Sequence, residues 1–267
     1  ITDLEAIEAA ITPKTKVLYC ETMSNPLLEI TDVAAVSKIA KKHGLTLIVD
    51  NTFTPLIFSP AEMGADVVVH SLTKFINGTS DAVGGVTCGS KELISGMMDV
   101  NNGTSMLLGP VLDGARSASM LKNLHSLPVR MERHSRNASF LAKKFQEMGL
   151  KVKYAGLESH PQHELMKRQM NAEFGFGGML TLDVGTIEKA NELMEMMQHA
   201  NLGYLAVSLG FYKTLFSAPG TSTSSEIPED EQAEMGLSAG IVRFSIGLDQ
   251  DINKTFLTMK ECIEKVM

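Results

Sequence analysis

Residues 45–53 read L-T-L-I-V-D-N-T-F and residues 66–74 read D-V-V-V-H-S-L-T-K. Each stretch contains an apolar run, Leu45–Val49 in the first and Val67–Val69 in the second, and polar side chains follow directly. Such short, continuous apolar runs predict strands that are buried on both faces, as in a parallel sheet covered by helices. Because ligands of these sheets bind beyond the carboxyl ends of the strands, the polar residues that follow the runs are candidate functional residues.

Signals for a further strand and for two helices precede these stretches. Val17–Cys20 is a third apolar run and predicts a strand. Leu4–Ala10 predicts a helix, with Thr2 as its N-terminal cap in a capping box that Glu5 completes. Asp32–His43 predicts a second helix, with Thr31 as its cap. The alternation of helix and strand is typical of an α/β fold.

The second half of the chain has a different pattern. A helical region that starts at Gly109 is expected to be interrupted by Pro128, after which strand and helix signals alternate. The predicted strands are Met179–Val184 and Ile241–Ile246, and the predicted helices are Ile187–Ala200 and Asp251–Val266. We therefore predict two domains: residues 1–127 form a mostly parallel sheet covered by helices, and residues 128–267 form a smaller α+β domain.

Composition restricts the class of partner. The 267 residues carry a formal net charge of −7 with no basic block, so we expect no nucleic-acid partner. No apolar run approaches the roughly 20 residues of a membrane span, so we expect no membrane partner. The 3 cysteines are far apart and fit no disulfide framework, which favours a reducing cytoplasm. His160 and His163 are expected to lie in a solvated loop, and no metal site is predicted.

The residues after the three apolar runs form a chemically consistent set. Asn25 follows the first run, Asp50 the second, and Ser71, Thr73 and Lys74 the third. A pyridoxal phosphate site needs a lysine for the aldehyde, an acid facing the ring nitrogen, hydroxyls for the phosphate and an amide for the ring oxygen. Taken alone, each of these residues is more often something else: a lysine in a loop is usually a solvated charge, and the other polar residues usually cap a turn or a helix. The combination is what favours a cofactor site.

Ordered motifs along the whole chain carry a family resemblance. The motifs are E-T-M-S-N-P (21–26), I-V-D-N-T-F-T-P (48–55), V-V-V-H-S-L-T-K-F-I-N-G-T-S-D-A-V-G-G-V (67–86), V-S-L-G (207–210) and G-I-V-R-F-S-I-G-L (240–248). The chain resembles the Cys/Met-metabolism family of pyridoxal-phosphate enzymes. The resemblance implies the transferase-like fold known as fold type I, with pyridoxal 5'-phosphate as the cofactor.

The resemblance also implies roles for individual residues. Lys74 is the catalytic lysine and bonds covalently to the cofactor, and Asp50 pairs with the pyridine nitrogen. Ser71 and Thr73 bind the phosphate, and Asn25 contacts the ring oxygen.

A second group implied by the resemblance would bind the substrate. Arg243 corresponds to the arginine that binds the substrate α-carboxylate, with Ser208 beside it and Thr223 supporting it. Lys213 stands where relatives that act on cystathionine or homoserine esters commonly carry Glu. Its charge would favour a substrate with an anionic distal group if it faces the pocket, and would have no such effect if it points to solvent.

By resemblance, the expected activity is that of a carbon–sulfur lyase of sulfur amino-acid metabolism, which acts by γ-elimination on methionine, cystathionine or a related homoserine derivative. A γ-replacement reaction of the cystathionine γ-synthase type, on an activated homoserine, shares every motif and is the alternative. The family's phosphate-binding loop and stacking tyrosine lie before the region that resembles Ile1, so we expect the carboxyl-terminal two thirds of a family member. An inactive fragment is therefore a further alternative.

Two other expectations concern cofactor class and assembly. A nicotinamide-binding domain would need G-x-G-x-x-G at the first strand–helix turn, where Thr22–Asn25 stands instead. By resemblance, the chain takes a small amino-acid substrate and assembles as a homo-oligomer, a tetramer built as a dimer of dimers.

Overall fold

The structure, a computed structural model, describes residues 1–222 and 224–267. Two compact units make up the chain: Ile1–Met23 with Ile30–Leu127, and Ser24–Glu29 with Pro128–Met267. Each unit contains its own sheet, of 4 strands in the first and 5 in the second. Among the described residues, no helix has both the length and the apolar character needed to cross a membrane.

The first unit is built on a mixed sheet. Its elements are α1 (Leu4–Ala9), β1 (Val17–Glu21), α2 (Val33–Lys42), β2 (Thr46–Asp50), β3 (Val67–Ser71), β4 (Gly85–Gly89), α3 (Lys91–Met97), α4 (Thr104–Leu108) and α5 (Gly114–Leu124). The strand order is β1-β2-β3-β4, in which the first three strands are parallel and β4 is antiparallel to β3. The predicted α/β class is therefore confirmed, with one antiparallel strand in this sheet.

Helix α2 packs against the sheet of the first unit through an apolar stripe. Val33, Val36 and Ala40 lie at helical spacing, and they form a buried cluster with Leu47 and Val49 of β2. Packing against α2 holds β2 in place. The position of Asp50, the last residue of β2, is therefore fixed by the core.

The prediction that these strands are buried on both faces is wrong for β1. Leu18 and Cys20 pack against the α2 cluster, whereas Val17 is 45% exposed and Tyr19 is 60% exposed. Side chains alternate between the two faces of a strand, so only one face of this edge strand contacts the core.

Two predicted helix caps are also wrong, each by one residue. Asp3 caps α1 in place of Thr2, with Oδ1 accepting from the backbone N–H of Ala6 at 2.9 Å. Asp32 caps α2 in place of Thr31, and its Oδ1 accepts from Ala35 N–H at 2.9 Å. Aspartate and threonine are both good caps, so residue type alone does not decide between neighbours.

The second unit is mostly antiparallel. Its elements are α6 (Leu127–Glu147), β5 (Lys151–Lys153), α7 (His163–Gln169), β6 (Met179–Asp183), α8 (Ile187–His199), β7 (Tyr204–Leu205), β8 (Leu215–Ser217), α9 (Glu229–Glu234), β9 (Ile241–Ser245) and α10 (Ile252–Val266), with 3-10 turns at Ala172–Phe174 and Pro219–Thr221. The strand order is β5-β6-β9-β8-β7, and only β7 and β8 are parallel. The interruption of the helical region expected at Pro128 is confirmed, because α5 ends at Leu124 and α6 begins at Leu127. Pro128 lies in the first turn of α6, where its missing N–H leaves no helical bond unmade.

An apolar core lies between the sheet and the helices of the second unit. Leu193 of α8 and Ile263 of α10 are buried with Val242 and Phe244 of β9. Because side chains alternate along a strand, Arg243 lies on the face of the sheet opposite this core. The strand therefore holds an arginine at a fixed position on its other face.

Candidate functional site

The predicted cofactor residues of the first unit lie at neighbouring strand ends. Asp50 is the last residue of β2 and pairs in register with Val69 of β3, and Ser71 is the last residue of β3. Lys74 follows in a turn, where its backbone N–H donates to the Ser71 carbonyl at 3.3 Å. The sheet register therefore brings the acid, a hydroxyl and the lysine to one edge of the sheet.

Both oxygens of the Asp50 carboxylate accept a hydrogen bond. The backbone N–H of Thr52 donates to Oδ1 at 2.9 Å, and the phenol of Tyr19 donates to Oδ2 at 3.0 Å. Sequence reasoning did not identify Tyr19 as part of this site. The signal for Tyr19 is its place on β1. It lies two residues before Glu21, on the same face of the strand, and Glu21 pairs with Asp50 in the parallel register.

The two predicted phosphate-binding hydroxyls differ in their surroundings. The Thr73 hydroxyl accepts from Gly84 N–H at 3.1 Å and lies 3.4 Å from the Gly84 carbonyl. The Ser71 side chain makes no hydrogen bond to any other described residue, and the backbone N–H of Ser71 donates to Thr52 Oγ1 at 2.8 Å. Ser71 therefore has its hydroxyl available for an anion, whereas Thr73 also fixes the start of β4.

The second unit brings three of the predicted residues together around a buried cation. Arg243 is only 2% exposed, and its Nη1 donates to Asn25 Oδ1 at 2.7 Å. Its Nη2 donates to the Ser208 backbone carbonyl at 3.3 Å. Burial lowers the pKa of Arg243 to about 10. Within the described part of the chain, no carboxylate forms an ion pair with this guanidinium, so its hydrogen-bond partners there are neutral.

The two other positions predicted near the substrate are Thr223 and Lys213. Thr223 lies outside the described residues. Lys213 is exposed, and its ammonium lies 5.4 Å from the centroid of the Tyr204 ring. Burial raises the pKa of Asp249, and the charge of Lys213 opposes that shift. The Lys213 charge therefore interacts with an aromatic ring and a carboxylate of its own unit.

The expectation of a solvated loop around His160 and His163 is wrong, because both side chains are buried. The His160 Nε2–H donates to the Leu28 carbonyl at 3.1 Å, and the His163 Nδ1–H donates to the Ala155 carbonyl at 2.8 Å. Backbone carbonyls only accept hydrogen bonds, so these contacts set the tautomers. Across residues 1–222 and 224–267, no group of three or more His, Cys, Asp or Glu side chains is arranged to hold a metal ion.

Comparison with known proteins relates the chain to enzymes of sulfur amino acids. It is 44% identical over 268 residues to a methionine gamma-lyase of Arabidopsis thaliana, covering 97% of this chain and 61% of that protein. It is 41% identical to a cystathionine gamma-lyase of Bacillus subtilis, covering 92% of this chain and 63% of that protein. A cystathionine beta-lyase of Lactococcus lactis is 38% identical, with 99% of this chain and 68% of that protein covered.

The chain thus spans about three fifths to two thirds of the length of these relatives. The model of the family described as Cys/Met metabolism PLP-dependent enzyme matches residues 1–256. Pyridoxal phosphate is the cofactor of that family. On the strength of this match and of the relatives, the chain belongs to the Cys/Met metabolism family of PLP-dependent enzymes.

Proposed function

We propose that the chain is a carbon–sulfur lyase that acts by γ-elimination on methionine, cystathionine or a related homoserine derivative. Its family membership supports this reaction class, as do the names of its relatives, among them methionine gamma-lyase and cystathionine gamma-lyase. The substrate is a small amino acid, so the protein must recognise an α-carboxylate and move a proton at the adjacent carbon.

The residues of the first unit fit pyridoxal phosphate. Lys74 would hold its aldehyde covalently, and the Asp50 carboxylate would face its pyridine nitrogen. The Ser71 hydroxyl, which no described residue engages, would donate to the phosphate together with Thr73. When bound, the cofactor withdraws electrons from the carbon that carries the substrate amine.

Two side chains of the first unit then carry the proton chemistry. Once the substrate amine has replaced it on the cofactor aldehyde, the freed Nζ of Lys74 would accept the proton from the substrate α-carbon as a general base. Asp50 would favour a proton on the ring nitrogen, because an adjacent carboxylate favours the cationic form of that nitrogen.

The observation that carries the substrate side of the proposal is the buried Arg243 with neutral partners. A buried cation is costly unless it is paired, and a planar guanidinium can bind a carboxylate through two parallel hydrogen bonds. Asn25 Oδ1 and the Ser208 carbonyl hold the guanidinium in one orientation. The substrate α-carboxylate supplies the missing negative charge. The amide group of Asn25 is also proposed to contact the cofactor ring oxygen.

The same proposal covers fold, assembly and compartment. Residues 1–127 are the carboxyl-terminal part of a PLP-binding domain of fold type I, and residues 128–267 are a smaller domain. The assembly is a homotetramer, a dimer of dimers, in the cytoplasm. The 3 cysteines are all free thiols, which is usual in a reducing compartment.

Product analysis of the purified protein with pyridoxal phosphate tests the reaction. We expect methionine or cystathionine to yield 2-oxobutyrate and a thiol. If both are inert and activated homoserine with cysteine yields cystathionine instead, the γ-synthase alternative replaces the lyase.

Two variants test the proposed residues. Lys74→Ala should abolish the visible absorbance of the protein-bound cofactor and the activity together. Arg243→Ala should keep the absorbance and raise KM by about 10- to 100-fold, since a charged hydrogen bond contributes about 1.5–3 kcal/mol. Protein that stays colourless with added cofactor would support the inactive-fragment alternative, and an unchanged KM in Arg243→Ala would exclude the assigned carboxylate contact.

A further inference from the structure

Tyr19 is placed on the Asp50 carboxylate by the sheet register. In the parallel pairing of β1 and β2, Tyr19 lies opposite Ile48 and Glu21 lies opposite Asp50. Side chains two residues apart share a face, so Tyr19 and Asp50 are diagonal neighbours on one face of the sheet, within reach of a long side chain. The phenol spans this diagonal and donates to Asp50 Oδ2 at 3.0 Å.

The contact fixes the carboxylate at a second point. The backbone N–H of Thr52 holds Oδ1 at 2.9 Å, and the Tyr19 phenol holds Oδ2. Rotation about the terminal torsion of Asp50 therefore breaks two hydrogen bonds in place of one. Each oxygen accepts only one of these bonds, which leaves lone pairs for a further donor.

The Tyr19 phenol is protonated and can therefore donate a hydrogen bond to Asp50. Partial desolvation of the phenol raises the pKa of Tyr19 to about 12, although the whole side chain is 60% exposed, and the charge of Asp50 and the hydrogen bond to it act in the same direction. The charge of Glu21 on the same strand adds to the shift. The phenol therefore keeps its proton near neutral pH. An ionised carboxylate, which can only accept, is the partner that this donor stabilises.

We propose that Tyr19 is a positioning residue, which orients the Asp50 carboxylate and stabilises its negative charge for the pyridine nitrogen of the cofactor. The inference rests on the proposed role of Asp50. Tyr19 itself touches neither cofactor nor substrate in this scheme and acts only through Asp50. Groups that orient a functional ligand in this way contribute to affinity and to the charge state of the residue they hold.

The first measurement uses the protein without cofactor. Subtracting the ultraviolet pH titration of Tyr19→Phe from that of the wild type isolates the Tyr19 phenol. We expect a midpoint near 12, and we expect Asp50→Asn to lower it, because the variant removes the neighbouring charge. A midpoint that Asp50→Asn leaves unchanged would contradict the contact.

The second measurement is a double-mutant cycle on cofactor affinity, followed by the absorbance of bound pyridoxal phosphate. Tyr19→Phe keeps the ring and removes the donor, so affinity should fall by about 3- to 10-fold, as expected for one hydrogen bond. In the Asp50→Asn background, the same substitution should have no further effect. An equal loss in both backgrounds, or no loss in either, would overturn the proposal.

A matched control and a separate criterion complete the design. Tyr212 is also an exposed tyrosine, at 48%, and its phenol makes no hydrogen bond to a described residue, so Tyr212→Phe should leave cofactor affinity unchanged. If Asp50→Asn alone does not weaken cofactor binding, the proposed role of Asp50 fails, whatever the result at position 19. Thermal unfolding of each variant without cofactor shows whether the protein remains folded.

Discussion

Buried imidazoles of the second unit serve as hydrogen-bond donors to the backbone. The His134 side chain on α6 is fully buried, and its Nδ1–H donates to the Ile246 carbonyl at 2.6 Å. Burial lowers its pKa from 6.5 to about 4. The nearby Arg130 cation lowers it further, and the hydrogen bond to Ile246 opposes the shift. The folded state therefore favours the neutral imidazole over the protonated one. This preference makes the stability of the second unit depend on pH.

This coupling predicts a loss of stability in mild acid. The pKa of His134 is lower in the folded state than in the unfolded state. The stability that the neutral His134 ring contributes is therefore fully present above about pH 6.5 and is lost as the pH falls toward 4. Between about pH 7.5 and about pH 5, we expect the free energy of unfolding to fall by about 2 kcal/mol from this residue. Denaturant titrations at the two pH values should show a smaller fall in His134→Gln. The exposed His199→Gln is the control, and an equal pH dependence in both variants would contradict the prediction.

Side-chain caps define where many of the helices begin. An aspartate, serine or threonine oxygen accepts from a backbone N–H of the first turn in six helices, at Asp3, Asp32, Ser90, Asp113, Thr186 and Asp251. The first turn of a helix has no internal partners for its N–H groups, so these caps satisfy donors that would otherwise depend on water. For α2, the cap also fixes the helix that packs on β2, the strand that ends in Asp50.

The cap of α2 allows a test at the level of one element. Asp32→Ala should destabilise the protein by about 1 kcal/mol, because the N–H of Ala35 loses its acceptor. Asp32→Asn keeps an acceptor oxygen in place, so it should destabilise the protein by only a few tenths of the amount that Asp32→Ala does. Urea denaturation followed by circular dichroism measures both. Equal destabilisation by the two substitutions would mean that the cap does not stabilise α2.

Large apolar side chains are exposed along the first unit between β3 and α5. Val83 is 71% exposed, Leu108 is 79% exposed and Val111 is 76% exposed. Large apolar patches usually mark interaction surfaces, and this stretch of strongly exposed apolar side chains is a candidate for one. It supports the proposed homo-oligomer, since burying this surface between copies removes it from water.

Self-association is therefore the prediction for the whole molecule. Sedimentation equilibrium should give a mass that is a multiple of 28.9 kDa. Leu108→Asp should shift the distribution toward the monomer, because a buried charge without a partner opposes association. Lys265→Asp, a charge change at the last turn of α10, is the control and should keep the wild-type mass. A monomeric wild-type protein would contradict the prediction.

Local patterns predicted the type of most elements, and errors arose where neighbouring residues could play the same part. The run at Val67–Val69 lies within β3, and the run at Ile241–Ile246 contains β9, since short β-branched runs favour extended backbone. The predicted caps lie one residue before the observed ones, whereas the break predicted at Pro128 is present between α5 and α6. The antiparallel direction of β4 was not predictable, because hydrophobic pattern does not encode strand direction.

The sequence by itself determined the α/β class, the family and the residues that follow each strand, because these depend on local pattern and motif order. Only the tertiary structure decided which side chains meet. Arg243 and Asn25 are 218 positions apart, and Tyr19 reaches Asp50 across 31. Such contacts depend on strand register and packing, in which a shift of one residue turns every side chain to the opposite face.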